Sequence, residues 1–270
     1  MENMPEEQEN MYTFESRIRY SETDERNILT LAGVIDYFQD CSTFQSEDLG
    51  IGLDYLKENH LAWIVNYWQL ELHRLPKLGE RVRIGTSPYR LHGFIGERNF
   101  VLETLQGERL VTANSVWSLF DLEKMLPRKV TPEMLAGYEL NEPLEMEYLP
   151  RKIREAGKGA AHPEDSKTEP SAEASSKLPG IVVSEQHLDS NHHVNNAQYI
   201  RFGEMVLEKL GTEERRPLLR LRAEYTKQAR LGDVITPAVF RTEETNRTLL
   251  ALNGEDGKPF CLLEYFRGEH

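Results

Sequence analysis

One short segment, from His187 to Leu210, concentrates the polar side chains that could do chemistry. Asp189, Asn191 and His193 occur at alternate positions, and an apolar-periodic run follows them. If the polar part is extended, residues two apart face the same way, so these three side chains are predicted to point into one cavity. A histidine titrates near neutral pH and can remove a proton from water. The segment therefore predicts a polar site in which a histidine could act as a general base on water.

The run after this polar segment has the spacing of one helical stripe. Its apolar residues recur at steps of three and four, at Tyr199, Phe202, Val206 and Leu210. Asn195 or Asn196 is expected to cap the first turn. A helix N-terminus offers unpaired N–H groups and the positive end of the macrodipole, so these amides are predicted to receive an oxyanion. Because Asp and Asn before a helix are more often only caps or turn formers, it is their combination with a histidine that favours a functional site.

A metal site is the second enzymatic interpretation of the same segment. It has four potential ligands, His187, Asp189, His192 and His193. Adjacent histidines on an extended segment point apart, however, and no recognised zinc spacing is present. We therefore expect neither a metal nor a cofactor in the site.

Composition and charge limit the other possibilities. The chain has 270 residues, of which 39% are hydrophobic and 29% charged, as in an ordinary globular protein with one large domain or two small ones. The net charge of −13 makes nucleic acid an improbable partner. No apolar run approaches the ~20 residues that span a bilayer, and the acidic N-terminus does not resemble a signal peptide. We expect a cytoplasmic protein. Cys41 and Cys261 are far apart, without the spacing of a zinc site, and Cys41 is predicted to be a packing residue.

The order of elements indicates two similar halves. Residues 1–11 are predicted to be a disordered tail, 12–154 a first domain with a C-terminal connector, 155–177 a flexible linker without aromatic or large aliphatic residues, and 178–270 a second domain. Each domain begins with a strand, continues through a polar turn into a helix, and ends in strands of an antiparallel meander. In the first domain the helix is predicted to begin at Leu31, and separate strands are predicted at Arg81–Thr86 and Tyr89–Gly96. The predicted class is α+β, with each sheet packed against a long helix.

The shared order of elements, together with a weak residue-by-residue match, indicates an internal duplication. An offset of 164 residues pairs Asn27 with Asn191, Phe38 with Phe202 and Asp40 with Glu204, and a later turn pairs Leu78-Gly79-Glu80 with Leu231-Gly232-Asp233. The same offset pairs Glu25 with Asp189 and Leu29 with His193. The predicted working site therefore lies in the second half. The first half contains Trp63, Trp68 and Trp117 beside Phe38, Phe44 and Tyr67, a group expected to be mostly core with room for an apolar cavity.

These residues resemble a known family. LDSNHHVNNAQYI is similar to the Asp-x-Asn-x-His-Val-Asn-Asn block of the acyl-acyl-carrier-protein thioesterases, and RYSETDERNILTLAGVIDYFQD and AEYTKQARLGD support the resemblance. It implies a tandem (double) hot-dog fold, in which two antiparallel sheets each wrap around a long central helix. It also implies an enzyme of fatty-acid biosynthesis that hydrolyses fatty acyl-carrier-protein thioesters and releases the free fatty acid. The acyl chain would lie in the first half and the chemistry in the second.

The resemblance implies that Asp189, Asn191 and His193 are the catalytic residues. It also implies that Gln228 occupies a fourth catalytic position of the family. Plant members have an acidic residue at the Gln228 position, and a glutamine can orient a water but cannot take its proton. Ala229 stands where a cysteine nucleophile was once proposed. The expected mechanism is therefore activation of water by His193, with direct attack by Asp189 as an alternative.

The carrier and the oligomeric state stay open at this level. The substrate would carry a phosphopantetheine arm on acyl carrier protein, but coenzyme A is an alternative carrier. An acyl-binding module without catalysis is an alternative function for the protein. An acidic carrier protein would need a basic face, for which the candidates are Arg128, Lys129, Arg151, Lys152, Arg154, Arg215 and Arg216. No membrane partner is expected, and the chain is expected to be a monomer or a homodimer.

Overall fold

The computed structural model describes residues 11–153, 178–210, 216–242 and 246–268. The predicted tail up to residue 10 and the predicted linker 155–177 lie outside these ranges. Two compact units are present, Met1–Leu149 (unit 1) and Pro150–His270 (unit 2). The last residues before the predicted linker thus belong with unit 2, where Lys152 Nζ and Ile153 N both donate to the buried Glu224 carboxylate at 2.6 and 2.8 Å.

Unit 1 begins with a strand and a long helix. Strand β1 (Tyr12–Arg17) is followed by a polar turn, by helix α1 (Leu31–Asp48) and by the short helix α2 (Leu53–Glu58). Thr30 caps α1 because its side chain accepts a hydrogen bond from Gly33 N at 3.1 Å. The sequence predicted this helix and its beginning at Leu31 correctly.

The sheet of unit 1 is antiparallel, with strand order β1-β3-β4-β5-β2 and the short β6 beside β5. Its remaining strands are β2 (Leu61–Leu72), β3 (Arg81–His92), β4 (Ile95–Thr104), β5 (Arg109–Asp121) and β6 (Leu126–Pro127), and a short helix α3 (Pro132–Ala136) follows. The predicted break between strands at 86 and 89 is wrong. β3 is continuous through a bulge at Tyr89, and the chain turns instead at Gly93, whose φ of +61° favours glycine.

The core of unit 1 lies between α1 and this sheet. Phe38 of α1 packs against Trp68 and Phe100, with ring centroids 6.0 and 5.1 Å away, and all three rings are buried. Cys41 is also fully buried, which confirms its packing role and raises the pKa of its thiol to about 12. Phe44, predicted to belong to the aromatic group, is 43% exposed and packs at the edge against Phe14.

Unit 2 repeats this arrangement. Its elements are β7 (Ile181–Val182), helix α4 (Asn196–Lys209), β8 (Leu218–Tyr225), β9 (Val234–Thr242), β10 (Arg247–Asn253) and β11 (Pro259–Arg267), and the strand order is β8-β11-β10-β9-β7. Helix α4 approaches the sheet closely at Gly203, where an added Cβ would lie 2.5 Å from Leu263 Cδ1. The predicted α+β class, with a long helix on each antiparallel sheet, is confirmed.

Matching hydrogen bonds demonstrate that the two units are built alike. In unit 1, Ile18 N donates to Glu80 O and Gly79 N to Ile18 O; in unit 2, Val183 N donates to Asp233 O and Gly232 N to Val183 O. Gly79 and Gly232 both have positive φ, +79° and +85°. The predicted pairing of Leu78-Gly79-Glu80 with Leu231-Gly232-Asp233 is therefore correct.

The predicted register of the polar turn and the helix is wrong by one residue. Thr23 bridges Leu29 in unit 1, and Leu188 bridges Val194 in unit 2. The left-handed residue of each turn is Asn27 and His192, both with a φ of +59°, and the helix caps are Thr30 and Asn195. An offset of 165 therefore pairs Asp24 with Asp189, Ile28 with His193 and Phe38 with Gly203. The conclusion that an aliphatic residue replaces the histidine in unit 1 still holds, but that residue is Ile28.

Candidate active site

The polar segment before α4 is a tight turn. Leu188 and Val194 form its closing bridge, Asp189 N donates to His193 O at 2.8 Å, and His192 N donates to Asp189 O at 3.1 Å. The Asp189 carboxylate turns back on the loop, where Oδ1 accepts hydrogen bonds from Asn191 N at 2.8 Å and from His193 N at 3.2 Å. The carboxylate thus fixes the backbone that carries the histidine.

The turn contradicts the predicted extended conformation of this segment. Asn191 and His192 are exposed at its tip, whereas Asp189 and His193 are half-buried at its base. The side chains therefore do not all face one cavity by strand alternation. The unit 1 turn has the same construction, because Asp24 Oδ1 accepts from Arg26 N and Ile28 N, both at 2.9 Å. Asp at this position is thus a feature of the duplicated fold, and the histidine is specific to unit 2.

Asn195 is the N-cap of α4. Its side-chain oxygen accepts a hydrogen bond from Ala197 N at 2.9 Å, and its own N–H donates to His187 O at 2.9 Å. The Asn195 N–H is therefore engaged in holding the turn. The oxyanion role of the amides at Asn195 and Asn196 stays a prediction.

Ala229 ties a second segment to this turn. Its carbonyl accepts from Val194 N at 2.9 Å, and its N–H donates to Tyr199 Oη at 3.0 Å. Ala229 is buried, whereas Gln228 and Arg230 on either side of it are exposed. These two hydrogen bonds place the segment carrying Gln228 beside the beginning of α4. Sequence reasoning had seen Tyr199 only as part of an apolar stripe and did not find its hydroxyl contact.

The surroundings of His193 favour its neutral form. Partial burial lowers the pKa of its imidazole, and the neighbouring Arg230 and His192 lower it further, while the nearby Asp189 carboxylate opposes them. A neutral imidazole can accept a proton, so His193 is in the protonation state of a general base near neutral pH. Arg230 was missed at the sequence level, although its position two residues after Gln228 was a usable signal.

The His187 side chain contacts Ser184 and Phe202. Its Nδ1 accepts a hydrogen bond from Ser184 N at 3.0 Å, and its ring lies edge-on to Phe202 at 5.0 Å. This binds His187 to the preceding turn and to the helix. Within the part of the chain that the structure describes, no group of three His, Cys, Asp or Glu side chains is arranged to hold a metal ion.

An open depression of about 590 Å³ lies on unit 2. It is lined by Val183, Ser184, Glu185, Gln186, Leu231 and Gly232. The predicted catalytic residues are absent from this lining. We therefore do not regard this depression as the site of the reaction.

The basic residues considered for carrier docking have varied surroundings. Arg128 Nη1 lies 3.4 Å from Asp121 Oδ2, and Lys152 Nζ lies 2.6 Å from Glu224 Oε1, so both charges have counter-ions. Arg216 donates to Asn246 at 2.8 Å. Lys129 and Arg151 are exposed, and the two remaining candidates, Arg154 and Arg215, lie outside the described residues. Over the described ranges, no helix is long and apolar enough to cross a membrane.

Both halves of the chain match one protein family. Residues 9–138 match the acyl-ACP thioesterase N-terminal domain, and residues 171–262 match the acyl-ACP thioesterase C-terminal domain. Among curated proteins, the chain is 24% identical over 247 residues to the chloroplastic oleoyl-acyl carrier protein thioesterase 1 of Arabidopsis thaliana. This match covers 86% of the chain and 64% of the plant protein, so the chain spans less than two thirds of that relative's length.

Solved structures share the fold of the whole chain. An acyl-ACP thioesterase from Bacteroides thetaiotaomicron superposes with a TM-score of 0.78 at 19% identity, covering 96% of this chain and 98% of that one. The 12:0-ACP thioesterase from Umbellularia californica superposes with a TM-score of 0.75 at 15% identity, again covering 96% and 98%. These likenesses confirm the double hot-dog fold. Together with the two matched domains, they show that the chain belongs to the acyl-ACP thioesterase family.

Proposed function

We propose that the protein hydrolyses the thioester of a fatty acyl-acyl-carrier-protein and releases the free fatty acid. The observation that carries this proposal is the placement of His193, a half-buried histidine with a lowered pKa, at the beginning of α4 in a chain whose two halves both match the family. Cytoplasmic location and a role in fatty-acid biosynthesis belong to the same proposal.

In the proposed mechanism, His193 removes a proton from water, which attacks the thioester carbon. The amide end of α4 at Asn196 stabilises the resulting oxyanion, and the thiolate then leaves and takes up a proton. Asp189 acts through the backbone, because its carboxylate holds the amides of Asn191 and His193. The exposed Asn191 and Gln228 side chains are the groups assigned to orient the water and the thioester carbonyl.

The carrier is tested by measuring free thiol released from acyl-carrier-protein thioesters of several chain lengths, with matched coenzyme A thioesters alongside. Turnover of the carrier-protein series at a kcat/KM at least about tenfold higher is the expected result. Equal or better turnover of the coenzyme A series would assign the other carrier. Tight binding of both series without thiol release would favour an acyl-binding module.

A further inference from the structure

A buried row of hydrogen-bond donors crosses the sheet of unit 1. Trp68 of β2, Ser115 of β5 and Arg98 of β4 lie directly opposite one another in the strand register, so their side chains share one face. That face is covered by α1, because Phe38 stacks near Trp68 and Gln45 accepts a hydrogen bond from Arg98 at 2.6 Å. We call Trp68, Ser115 and Arg98 the donor row.

Arg98 is a buried cation whose contacts are with neutral groups. Its side chain is almost enclosed, with 9% of the residue exposed, and Nη1 donates to Gln45 Oε1 and, at 3.3 Å, to Thr86 Oγ1. The guanidinium carbon lies 5.3 Å from the ring centroid of Tyr138. Burial lowers the pKa of this guanidinium, but arginine stays charged at neutral pH. A buried charge without a counter-ion is costly to folding.

The buried Arg222 and the half-buried Arg83 both lie beside carboxylates. Arg222 in unit 2, which is 8% exposed, donates to the carboxylate of Glu264, and Arg83 lies within 3.6 Å of both Glu15 and Glu103. Over the described residues, Arg98 has hydrogen bonds to an amide oxygen and a hydroxyl but no ion pair with a carboxylate. The absence of a counter-charge at Arg98 therefore calls for a separate explanation.

A second donor in the row, Trp68, lacks a hydrogen-bond acceptor within the described ranges. Trp68 is fully buried, and its Nε1–H has no acceptor among the residues that the structure describes. The neighbouring Trp117, by contrast, donates its Nε1–H to Ser115 Oγ at 2.7 Å. Buried donors are nearly always satisfied in folded proteins, by protein, water or ligand. Two donors on one face, one charged and one neutral, both suit a ligand that brings acceptor oxygens.

We propose that the donor row binds an oxygen substituent, a hydroxyl or keto group, on the acyl chain, so that unit 1 selects oxygenated acyl groups over plain hydrocarbon ones. This inference rests on the proposed function in so far as the ligand is an acyl chain that enters between α1 and the sheet. Arg98 supplies the strongest interaction because a charged donor strengthens a hydrogen bond. An unsubstituted chain would lie against these donors without satisfying them, which disfavours its binding.

The test measures binding without hydrolysis. The probes are amide analogues of dodecanoyl-pantetheine, in which nitrogen replaces the thioester sulfur, either unsubstituted or carrying one hydroxyl at the third carbon, at mid-chain or at the terminal carbon. We expect at least one hydroxylated analogue to bind wild type about tenfold or more tightly than the unsubstituted one, the usual worth of a hydrogen bond to a charged group. In Arg98→Met this preference should fall to within about twofold. Equal binding of all analogues to wild type, or a preference that survives in Arg98→Met, would overturn the inference.

Two further variants provide a control and an independent test. Arg90→Met removes an exposed arginine of β3 that pairs with Glu97 at 3.4 Å, and it should leave the preference unchanged. If Arg98→Met fails to fold, Trp68→Phe removes the second donor and should reduce the preference; an unchanged preference there would contradict the donor row.

Hydrolysis is measured separately, as thiol release from the thioester substrates. An enzyme that releases thiol but binds all analogues equally refutes this inference alone, and one that discriminates among them without thiol release refutes the proposed function alone.

Discussion

The carboxylate of Asp189 is proposed to position the backbone of the turn and not to take part in the chemistry. Substitutions at this residue distinguish the two roles. Its Oδ1 accepts two backbone N–H groups, from Asn191 at 2.8 Å and from His193 at 3.2 Å. Hydrogen bonds to a charged acceptor contribute about 1.5 to 3 kcal/mol each, and the lower end applies in a turn that water can enter. Asp189→Ala should therefore lower the free energy of unfolding by about 1 to 3 kcal/mol.

Asp189→Asn is the informative partner of this variant. The asparagine oxygen can still accept both hydrogen bonds, so stability should fall by less than about 1 kcal/mol. Turnover should then stay within about tenfold of wild type, whereas the loosened turn of Asp189→Ala should cost about a hundredfold, as expected when a catalytic group is misplaced. Urea unfolding gives the stabilities, and thiol release from acyl-carrier-protein gives the rates.

The duplicated turn of unit 1 offers a matched control. Asp24 Oδ1 accepts from Arg26 N and Ile28 N, both at 2.9 Å, in the same geometry. Asp24→Ala should lose a similar 1 to 3 kcal/mol, roughly, while turnover stays within about twofold of wild type. The reasoning is refuted if Asp189→Asn loses as much stability and turnover as Asp189→Ala, or if Asp24→Ala abolishes turnover.

Three other predictions concern single residues. Burial and Arg230 lower the pKa of His193, so the rising limb of the pH profile of kcat/KM should lie below the usual histidine value of about 6.5. In Arg230→Gln the pKa of His193 should rise and this limb should move to higher pH. A limb that does not move would exclude the electrostatic influence of Arg230. Gly203→Ala should lower the free energy of unfolding by about 1 to 3 kcal/mol, because the new Cβ would lie 2.5 Å from Leu263 Cδ1; an unchanged melting temperature would contradict this packing. Gln228→Glu should be tolerated, because the residue is exposed, and complete loss of turnover would show that the glutamine has a specific role.

Much of the fold could be predicted from the sequence because its signals are local. The apolar stripe from Leu31 and the cap at Asn195 depend only on residues a few positions apart. The stripe was predicted correctly, and the cap was narrowed to Asn195 or Asn196. The strand break before Tyr89 was not predictable in this way, because a bulge keeps β3 continuous through cross-strand pairing with β4. Pairing between distant segments decides such cases.

The candidate site was predicted in composition but not in conformation. Alternation of Asp189, Asn191 and His193 is the pattern of a strand, yet two hydrogen bonds from backbone amides to the Asp189 carboxylate and the left-handed His192 produce a turn. The one-residue register error had a similar cause. Asn27 was matched to Asn191 by residue type, whereas the backbone matches Asn27 to His192, since both have a φ of +59°.

The most direct test of the central claim is thiol release from an acyl-carrier-protein thioester by wild type, His193→Ala and His192→Asn. The last variant is the control, because asparagine tolerates the left-handed backbone at that exposed position, as Asn27 does in unit 1. We predict a loss of about two to four orders of magnitude in kcat for His193→Ala. His192→Asn should stay within about threefold of wild type, because it leaves the proposed base in place. Near-full activity of His193→Ala would contradict the assignment of the general base.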